Sequence, residues 1–172
     1  MEMYPQTPQQ EGCLVQTVLV TSSRSEHLNT RRIAAAIGEV LGARVLTPEE
    51  ASPAVLREAD RVGFGSGIYW MGFDERLLRC IQELSDMTGR EAFVFGTSGM
   101  PEPPFRRYTQ RLGSILESRG FEVVDSFTCR GVDTWGPFKL VGGVNKGRPD
   151  DDDVQAARRF AETIRRRDRR RL

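Results

Sequence analysis

The sequence has 172 residues, of which 25 are lysine or arginine and 24 are aspartate or glutamate, giving a formal net charge of +1. This balance excludes a general attraction to nucleic acid or to an anionic membrane surface. No apolar run approaches the roughly 20 residues needed to cross a bilayer. The first twelve residues contain neither a basic nor an apolar segment, so no secretory signal is predicted and a cytoplasmic location is expected.

The length suits one well-buried domain and is short for two. Residues 1–12 are polar and aperiodic, so we predict that they form a disordered N-terminal tail. Residues 166–172 are predicted to form a basic C-terminal tail, and residues 13–165 the single domain between the two. Within that domain, short apolar runs typical of strands alternate with segments of helical periodicity.

The predicted elements alternate along the chain from a first strand to a last helix. Strands are predicted at residues 17–21, 43–46, 61–65, 92–95 and 122–127. Helices are predicted at residues 29–41, 74–87, 105–119 and 154–167, with a shorter helical turn at 54–58. Apolar strands that alternate with helices indicate a parallel sheet covered on both faces. We therefore predict an α/β fold, a three-layer, doubly wound, five-stranded parallel sheet of strand order 2-1-3-4-5.

The cysteines and the single histidine indicate no metal site. Cys13, Cys80 and Cys129 are odd in number and contain no Cys-x-x-Cys pair, which argues against a disulfide framework, a zinc site or a cysteine-bound cluster. They are expected to be ordinary reduced thiols, with Cys129 in the most unusual loop. His27 is interpreted as a loop donor to phosphate rather than as a catalytic base.

Ligands of such sheets bind beyond the carboxyl ends of the strands, where the strand order reverses. The loop after the first strand, residues 21–30, is rich in short hydroxyl and amide side chains and leads directly into a helix. A helix N-terminus offers unpaired N–H groups to a phosphate, and Arg24 offers a forked cation. Glycine-rich dinucleotide and triphosphate patterns are absent, so a monophosphate is favoured. The alternative is a polar loop in which Asn29 caps the helix.

Two further loops lie at the same predicted edge. Residues 65–72 combine glycines, which let a backbone approach a flat ligand, with Tyr69 and Trp70, whose rings can stack on one. We expect one of these two rings to contact the ligand, although one ring packed on the following helix is the alternative. Residues 97–99, Thr-Ser-Gly, can present backbone N–H groups to a ligand edge.

The first loop resembles two known phosphate loops. Residues 25–30 resemble the flavodoxin pattern [ST]-x-T-G-N-T, in which Ser25, Asn29 and Thr30 agree while His27 and Leu28 replace threonine and glycine. The loop is also similar to the G-S-x-R-x-x-S-x-N pattern of NAD(P)H-dependent FMN reductases. There Ser22, Arg24 and Asn29 agree, whereas Thr21 and His27 depart.

With the loops at 65–69 and 97–99, the chain resembles the flavodoxin-like superfamily, and in particular its short flavodoxin-domain FMN proteins, over residues 17–164. The resemblance implies the flavodoxin-like strand order and FMN as cofactor. It implies no metal and names no catalytic residue. The residues expected to bind FMN are Ser22, Arg24, Ser25, His27, Leu28, Asn29, Thr30, Ser66, Gly67, Ile68, Tyr69, Trp70, Thr97, Ser98, Gly99 and Trp135.

The long segment at residues 129–149 follows the last predicted strand without clear periodicity. Long ordered loops are often functional, so Thr134 and Trp135 are expected to cover the flavin or to receive a substrate. A cover for the sheet edge or a dimer surface is the alternative. The acidic residues 150–153 are interpreted as the start of a helix, and the basic residues 165–171 as its solvated end.

Three functions follow from these patterns. The first is an FMN-binding redox flavoprotein of the flavodoxin type, which exchanges electrons with a partner protein. The second is an NAD(P)H-dependent reductase of FMN, quinone or a similar small acceptor. The third is a flavodoxin-fold binding module that has lost FMN, because Leu28 replaces a glycine and would crowd the loop. A homodimer is possible under each.

Overall fold

The computed structural model describes residues 15–24, 28–105, 107–131 and 147–168. The strands are β1 (Thr17–Ser22), β2 (Arg44–Leu46), β3 (Arg61–Tyr69), β4 (Gly72–Phe73), β5 (Glu91–Ser98) and β6 (Glu122–Arg130). The helices are α1 (Asn29–Leu41), α2 (Pro53–Glu58), α3 (Glu75–Gln82), α4 (Tyr108–Ser118) and α5 (Asp151–Asp168).

Five strands form a parallel sheet in the order β2-β1-β3-β5-β6. Counted without the two-residue β4, which pairs antiparallel with β3, this is the order 2-1-3-4-5. The predicted α/β fold and strand order are therefore confirmed. The small strand β4 was not predicted, because the turn that joins it to β3 contains none of the Asn-Gly or Asp-Gly pairs that mark a hairpin.

The sheet strands at the candidate site are longer than their apolar runs. The third predicted strand ended at residue 65, whereas β3 continues to Tyr69, and β5 continues to Ser98 rather than residue 95. Backbone pairing between β3 and β5 continues as far as Gly67 and Thr97. Glycine and short polar residues are depleted in strands, so this extension does not show in a hydrophobic pattern.

Two helices are shorter than predicted for identifiable reasons. Helix α3 ends at Gln82 rather than residue 87, and the N–H of Met87 donates instead to the carbonyl of Arg119 at 2.9 Å. Helix α4 begins at Tyr108 rather than residue 105. The Glu102 carboxylate accepts from the N–H of Thr109 at 2.7 Å, which satisfies a free N–H of the first turn at this later start.

The start of α5 confirms the interpretation of the acidic run. The carboxylate of Asp150 accepts from the N–H of Asp153 at 3.0 Å, and that of Asp153 accepts from the N–H of Asp150 at 3.0 Å. This reciprocal pair caps the helix, and acidic residues in the first turn complement its dipole. Residues 166–168, placed in the predicted basic tail, continue α5, while residues 169–172 lie outside the described residues.

The sheet buries a core on each face. One apolar cluster includes Val20 and Phe64 beneath α2, α3 and α4, and the other includes Leu19 and Phe93 beneath α1 and α5. On the second face, the aromatic rings of β5 lie directly over glycines of β3. A Cβ atom added at Gly65 would lie 2.1 Å from the ring of Phe95, so only glycine fits there.

The end of the sheet opposite the candidate site is fixed by a buried arginine. Arg61 is 1% exposed, and its Nε donates to the carboxylate of Glu91 at 2.7 Å. The guanidinium also pairs with Asp168, the last residue of α5. Removing one partner of such a buried pair leaves an uncompensated charge, so this cluster ties the final helix to the sheet.

In the part of the chain that the structure describes, no helix is long and apolar enough to span a membrane.

We expect Gly65→Ala to lower the free energy of unfolding by about 1–3 kcal/mol, because overpacking forces the Phe95 ring or the backbone to move. Gly113→Ala is the matched control, since its new Cβ would meet Val123 at an ordinary 3.7 Å. In helix α4 that change should stabilise the protein by up to about 1 kcal/mol. Urea denaturation measures both effects. Equal stabilities of Gly65→Ala and the wild type would contradict the packing described.

Candidate functional site

The parallel register brings the three predicted loops to one edge of the sheet. Ser22 at the end of β1 pairs with Ser66 of β3, and Gly67 of β3 pairs with Thr97 of β5. The residues that follow β1, β3 and β5 therefore begin side by side. This is the carboxyl edge of the strands, where ligands of open α/β sheets bind.

Three consecutive hydroxyls at the end of β1 are buried without a partner. The Oγ1 of Thr21 and the Oγ atoms of Ser22 and Ser23 accept and donate no hydrogen bond among the described residues. Ser22 is only 2% exposed. An unsatisfied buried polar group costs about 1–3 kcal/mol, so three in a row require an explanation. Because side chains alternate along a strand, Thr21 shares the face of Leu19 and Ser22 that of Val20, so a ligand with several acceptors would have to bind beyond the end of β1 to reach both.

Helix α1 follows β1 in the chain, and the residue at its capping position supplies no side-chain cap. The capping position is Leu28, whose side chain accepts no hydrogen bond from the helix, and the first turn contains no acidic residue. The alternative interpretation of Asn29 as the cap is wrong, because Asn29 is the first helical residue. Its buried side chain instead lies beside Gly131, where an added Cβ would be 3.0 Å from the Asn29 Nδ2. A helix N-terminus without a cap favours an anion.

Leu28 occupies a backbone conformation that suits glycine. Its backbone is left-handed, with φ 50° and ψ 32°, a conformation that glycine adopts without strain. The flavodoxin pattern has glycine at this position, and the structure gives the physical reason. The leucine therefore adds strain, and its side chain is 47% exposed.

Hydrogen bonds between loops fix the other side of the site. The Oγ1 atoms of Thr30 and Thr97 lie 2.8 Å apart and are buried, which joins the start of α1 to the end of β5. The Ser98 carbonyl accepts from the N–H of Gly131 at 3.0 Å, and the Gly99 carbonyl accepts from Arg130 Nη1 at 3.1 Å. The predicted Thr97–Ser98–Gly99 run is thus held by β6.

Arg24 is engaged with a buried carboxylate. Its Nε donates to Asp74 at 2.7 Å, and the Asp74 side chain is fully buried at the start of α3. The Asp74 hydrogen bond and charge raise the pKa of Arg24 above its ordinary value. The Asp74 N–H in turn donates to the Oγ of Ser66 at 3.0 Å. The guanidinium therefore connects the first two loops, and its charge is shared with Asp74.

Tyr69 and Trp70 have different surroundings. The Tyr69 hydroxyl accepts from the N–H of Arg24 at 2.8 Å, and the ring lies 5.3 Å from the Arg24 guanidinium carbon. Trp70 is 80% exposed at the tip of the β3–β4 hairpin, where Trp70 and Met71 have φ angles of 51° and 64°. Two non-glycine residues with positive φ are uncommon and strained. Tyr69 therefore joins the loop after β1 to the end of β3, while the strained turn exposes Trp70 to solvent.

The remaining predicted residues fall into two groups. Ile68 is half-buried against the core cluster beneath α3 and α4, and a Cβ at Gly67 would lie 2.6 Å from the Tyr69 hydroxyl. Ser25, His27, Thr134 and Trp135 lie outside the described residues, as do Cys13 and residues 132–146. The expected FMN-binding residues did not include Thr21 and Ser23, although both lie in the predicted loop at 21–30, and did not include the bridging carboxylate of Asp74. Asp74 directly precedes a helix, which is the one signal that could have pointed to it.

The two described cysteines are not activated. Cys80 is buried and Cys129 half-buried, and neither forms a disulfide. Burial raises the pKa of the Cys80 thiol to about 11 and that of Cys129 to about 12. Both are therefore protonated near neutral pH, unlike a nucleophilic thiolate.

No group of residues able to hold a metal ion occurs within 15–24, 28–105, 107–131 and 147–168.

Comparisons with known proteins give a relative and a fold. No protein-family model matches the chain. The uncharacterized protein MJ0298 of Methanocaldococcus jannaschii is 36% identical over 148 residues, which cover 85% of this chain and 96% of MJ0298.

Among solved structures, oxidised flavodoxin 2 from Bacillus cereus superposes with a TM-score of 0.68 and 18% identity. The match covers 88% of this chain and 99% of that one. The apo form of the NADH:FMN oxidoreductase EMOB gives 0.59 at 17% identity and covers 88% of each chain. The chain therefore has the flavodoxin-like fold and belongs to the same family as MJ0298.

Proposed function

We propose that the protein binds FMN and acts as a redox flavoprotein of the flavodoxin type. The observation that carries this proposal is the set of buried hydroxyls of Thr21, Ser22 and Ser23, which have no partner among the described residues and shortly precede α1 in the chain. A phosphate monoester supplies three acceptor oxygens of the kind that these donors lack. The flavodoxin-like fold supports FMN as the molecule that carries the phosphate.

The phosphate would be held mainly by hydroxyls and by backbone N–H groups at the start of α1. Hydrogen bonds to a charged acceptor contribute about 1.5–3 kcal/mol each, and the helix dipole adds to them. Arg24 would contribute less charge than its sequence pattern indicates, because it is paired with Asp74. Thr30 would orient the helix rather than the ligand, since its hydroxyl is engaged with Thr97.

The flavin ring would lie between residues 66–70 and 97–99, the segments that extend β3 and β5 past the core. FMN supplies one- and two-electron chemistry when bound, and the protein supplies orientation and electrostatics. The exposed ring of Trp70 would stack on the flavin, and the loop that contains Gly99 would face the edge of the flavin. The bond from Arg130 to the Gly99 carbonyl keeps that loop in place.

An NAD(P)H-dependent reductase is the second candidate. It is supported by the Ser22–Arg24 match to the reductase pattern and by the likeness to an NADH:FMN oxidoreductase. The engagement of Arg24 with Asp74 counts against it, because the residue that makes the pattern is already paired. Loss of FMN is the third candidate and is based on crowding by Leu28, whose side chain is 47% exposed and whose backbone has the left-handed conformation that suits the glycine of the pattern.

FMN titration of the purified apoprotein tests the proposal. We expect flavin bands near about 375 and 450 nm to remain with the protein after gel filtration. The double change Ser22→Ala with Ser23→Ala should weaken FMN binding at least about tenfold, because each lost bond to phosphate contributes about 1.5–3 kcal/mol.

The same double variant should leave the apoprotein as stable as the wild type, or more stable, because it removes two unsatisfied buried hydroxyls. Ser114→Ala with Ser126→Ala, which changes two exposed hydroxyls, is the control and should alter neither quantity. A protein that binds no FMN, or a double variant with unchanged affinity, would show that the phosphate does not bind here.

Anaerobic mixing of the FMN-loaded protein with NADH or NADPH separates the first two candidates. We expect the oxidised flavin spectrum to persist for minutes, because a carrier of the flavodoxin type takes its electrons from a partner protein rather than from a nicotinamide. Rapid bleaching, followed by stopped-flow absorbance at about 450 nm, would instead establish the reductase.

Leu28→Gly should fold, bind FMN with at least wild-type affinity and change the free energy of unfolding by no more than about 1 kcal/mol. Relief of left-handed strain, worth about 1–2 kcal/mol, is partly offset by the extra freedom of glycine in the unfolded chain. Leu28→Ile should weaken both stability and binding, because a β-branched residue tolerates positive φ poorly. The opposite ranking in thermal melts and FMN titrations would contradict the loop geometry.

A further inference from the structure

Exposed apolar side chains are concentrated at the edge of the candidate site. Trp70, Met100 and Phe105 are 80%, 62% and 82% exposed, and together we name them the apolar rim. Trp70 follows β3, and the other two follow β5, the neighbouring strand. Large apolar side chains gathered at one edge of a soluble protein mark an interaction site more often than chance exposure does.

The exposure of the rim is built into ordered loops. The Glu102 carboxylate accepts from the N–H of Thr109 at 2.7 Å and also from its hydroxyl, which fixes the middle of the loop to α4. The N–H of Met100 donates to the Oγ of Ser98 at 3.3 Å. Trp70 stands on a paired hairpin whose turn has two positive φ angles. Because the backbones of these loops are held by hydrogen bonds, the apolar side chains that they carry are kept at the surface.

The charges around the rim are unbalanced. Asp74 is paired with Arg24, whereas Glu102 accepts from the neutral N–H and hydroxyl of Thr109 and forms no ion pair among the described residues. Arg107 is exposed and Arg130 half-buried, and neither forms an ion pair with a carboxylate in the described parts of the chain. The described residues that border the rim therefore carry the two positive charges of Arg107 and Arg130 and the one negative charge of Glu102, a small positive excess.

We propose that the apolar rim, with Arg107 and Arg130, is the docking surface for an acidic electron-transfer protein. The inference rests on the proposed function, because the docked partner would exchange electrons with the flavin between the same loops. One electron would leave the reduced partner at each encounter. Two encounters, with two protons taken from solvent, would complete the two-electron reduction of the flavin.

The size of the surface favours a transient partner over a stable dimer. Aromatic side chains bury about 150–250 Å² each, so the rim and its arginines provide several hundred Å² on this side. That is the range of weak redox encounters, which bury less than about 1,200 Å² in total, whereas obligate dimers bury at least about 2,000 Å². The positive flank would steer an acidic partner and set its orientation.

Direct binding tests the proposal without relying on electron transfer. Calorimetry at low salt compares an oxidised plant-type [2Fe–2S] ferredoxin, which is acidic, with a c-type cytochrome, which is basic. We expect the FMN-loaded protein to bind the ferredoxin at least tenfold more tightly than the cytochrome, and to lose that affinity as salt is raised.

Variants locate the surface. Arg107→Glu and Phe105→Ser should each weaken ferredoxin binding about tenfold, while their FMN affinity stays at the wild-type value. Arg166→Glu makes the same charge change on an exposed residue in the last turn of α5, at the other end of the sheet, and should have no effect. NMR shift changes confined to residues 70–72 and 99–107 would support the same location.

Three results would overturn the proposal. Equal or absent binding of the two probes by a protein that binds FMN would refute the docking surface and leave the proposed function intact. Conversion of a dimer to a monomer by Phe105→Ser, seen by sedimentation, would assign the rim to a second copy of the chain. Failure to bind FMN at all would remove the proposed function, and the docking proposal with it.

Discussion

The parallel register of β1, β3 and β5 is the constraint on which the site depends. Pairing of Ser22 with Ser66, and of Gly67 with Thr97, sets three polar segments beside one another past the end of the core. The register itself is secured within the sheet, where Gly65 makes room for the Phe95 ring. A slip of one residue would exchange the buried and exposed faces of a strand, so core packing and site geometry are fixed together.

Around that edge, hydrogen bonds between loops hold the structure in place, as apolar packing does in the core. Arg24 and Asp74 join the first loop to the second, and Thr30 and Thr97 join the first to the third. Among the described residues, the hydroxyls of Thr21, Ser22 and Ser23 take no part in this network. Buried donors without partners, followed in the chain by a helix N-terminus, are features of an anion site.

The sequence predicted the architecture well because hydrophobic periodicity determines which residues the layers bury. It predicted less well where backbone pairing continues through polar residues. Residues 66–69 and 97–98 were expected in loops, yet they extend β3 and β5. The choice between Tyr69 and Trp70 also needed coordinates, because two adjacent aromatics look alike until one is seen to accept a hydrogen bond from Arg24. Leu28 shows the converse, since a mismatch in a motif proved to keep the left-handed backbone conformation that suits the usual glycine.

The central claim is that the end of β1 and the start of α1 hold a phosphate. Comparing FMN with riboflavin, which has the same ring and no phosphate, tests this most directly. Fluorescence titration of the apoprotein should show FMN binding at least about 100-fold more tightly, the equivalent of about 2.7 kcal/mol, because two or more charge-assisted hydrogen bonds are lost with riboflavin. Equal affinity for the two flavins would contradict the account.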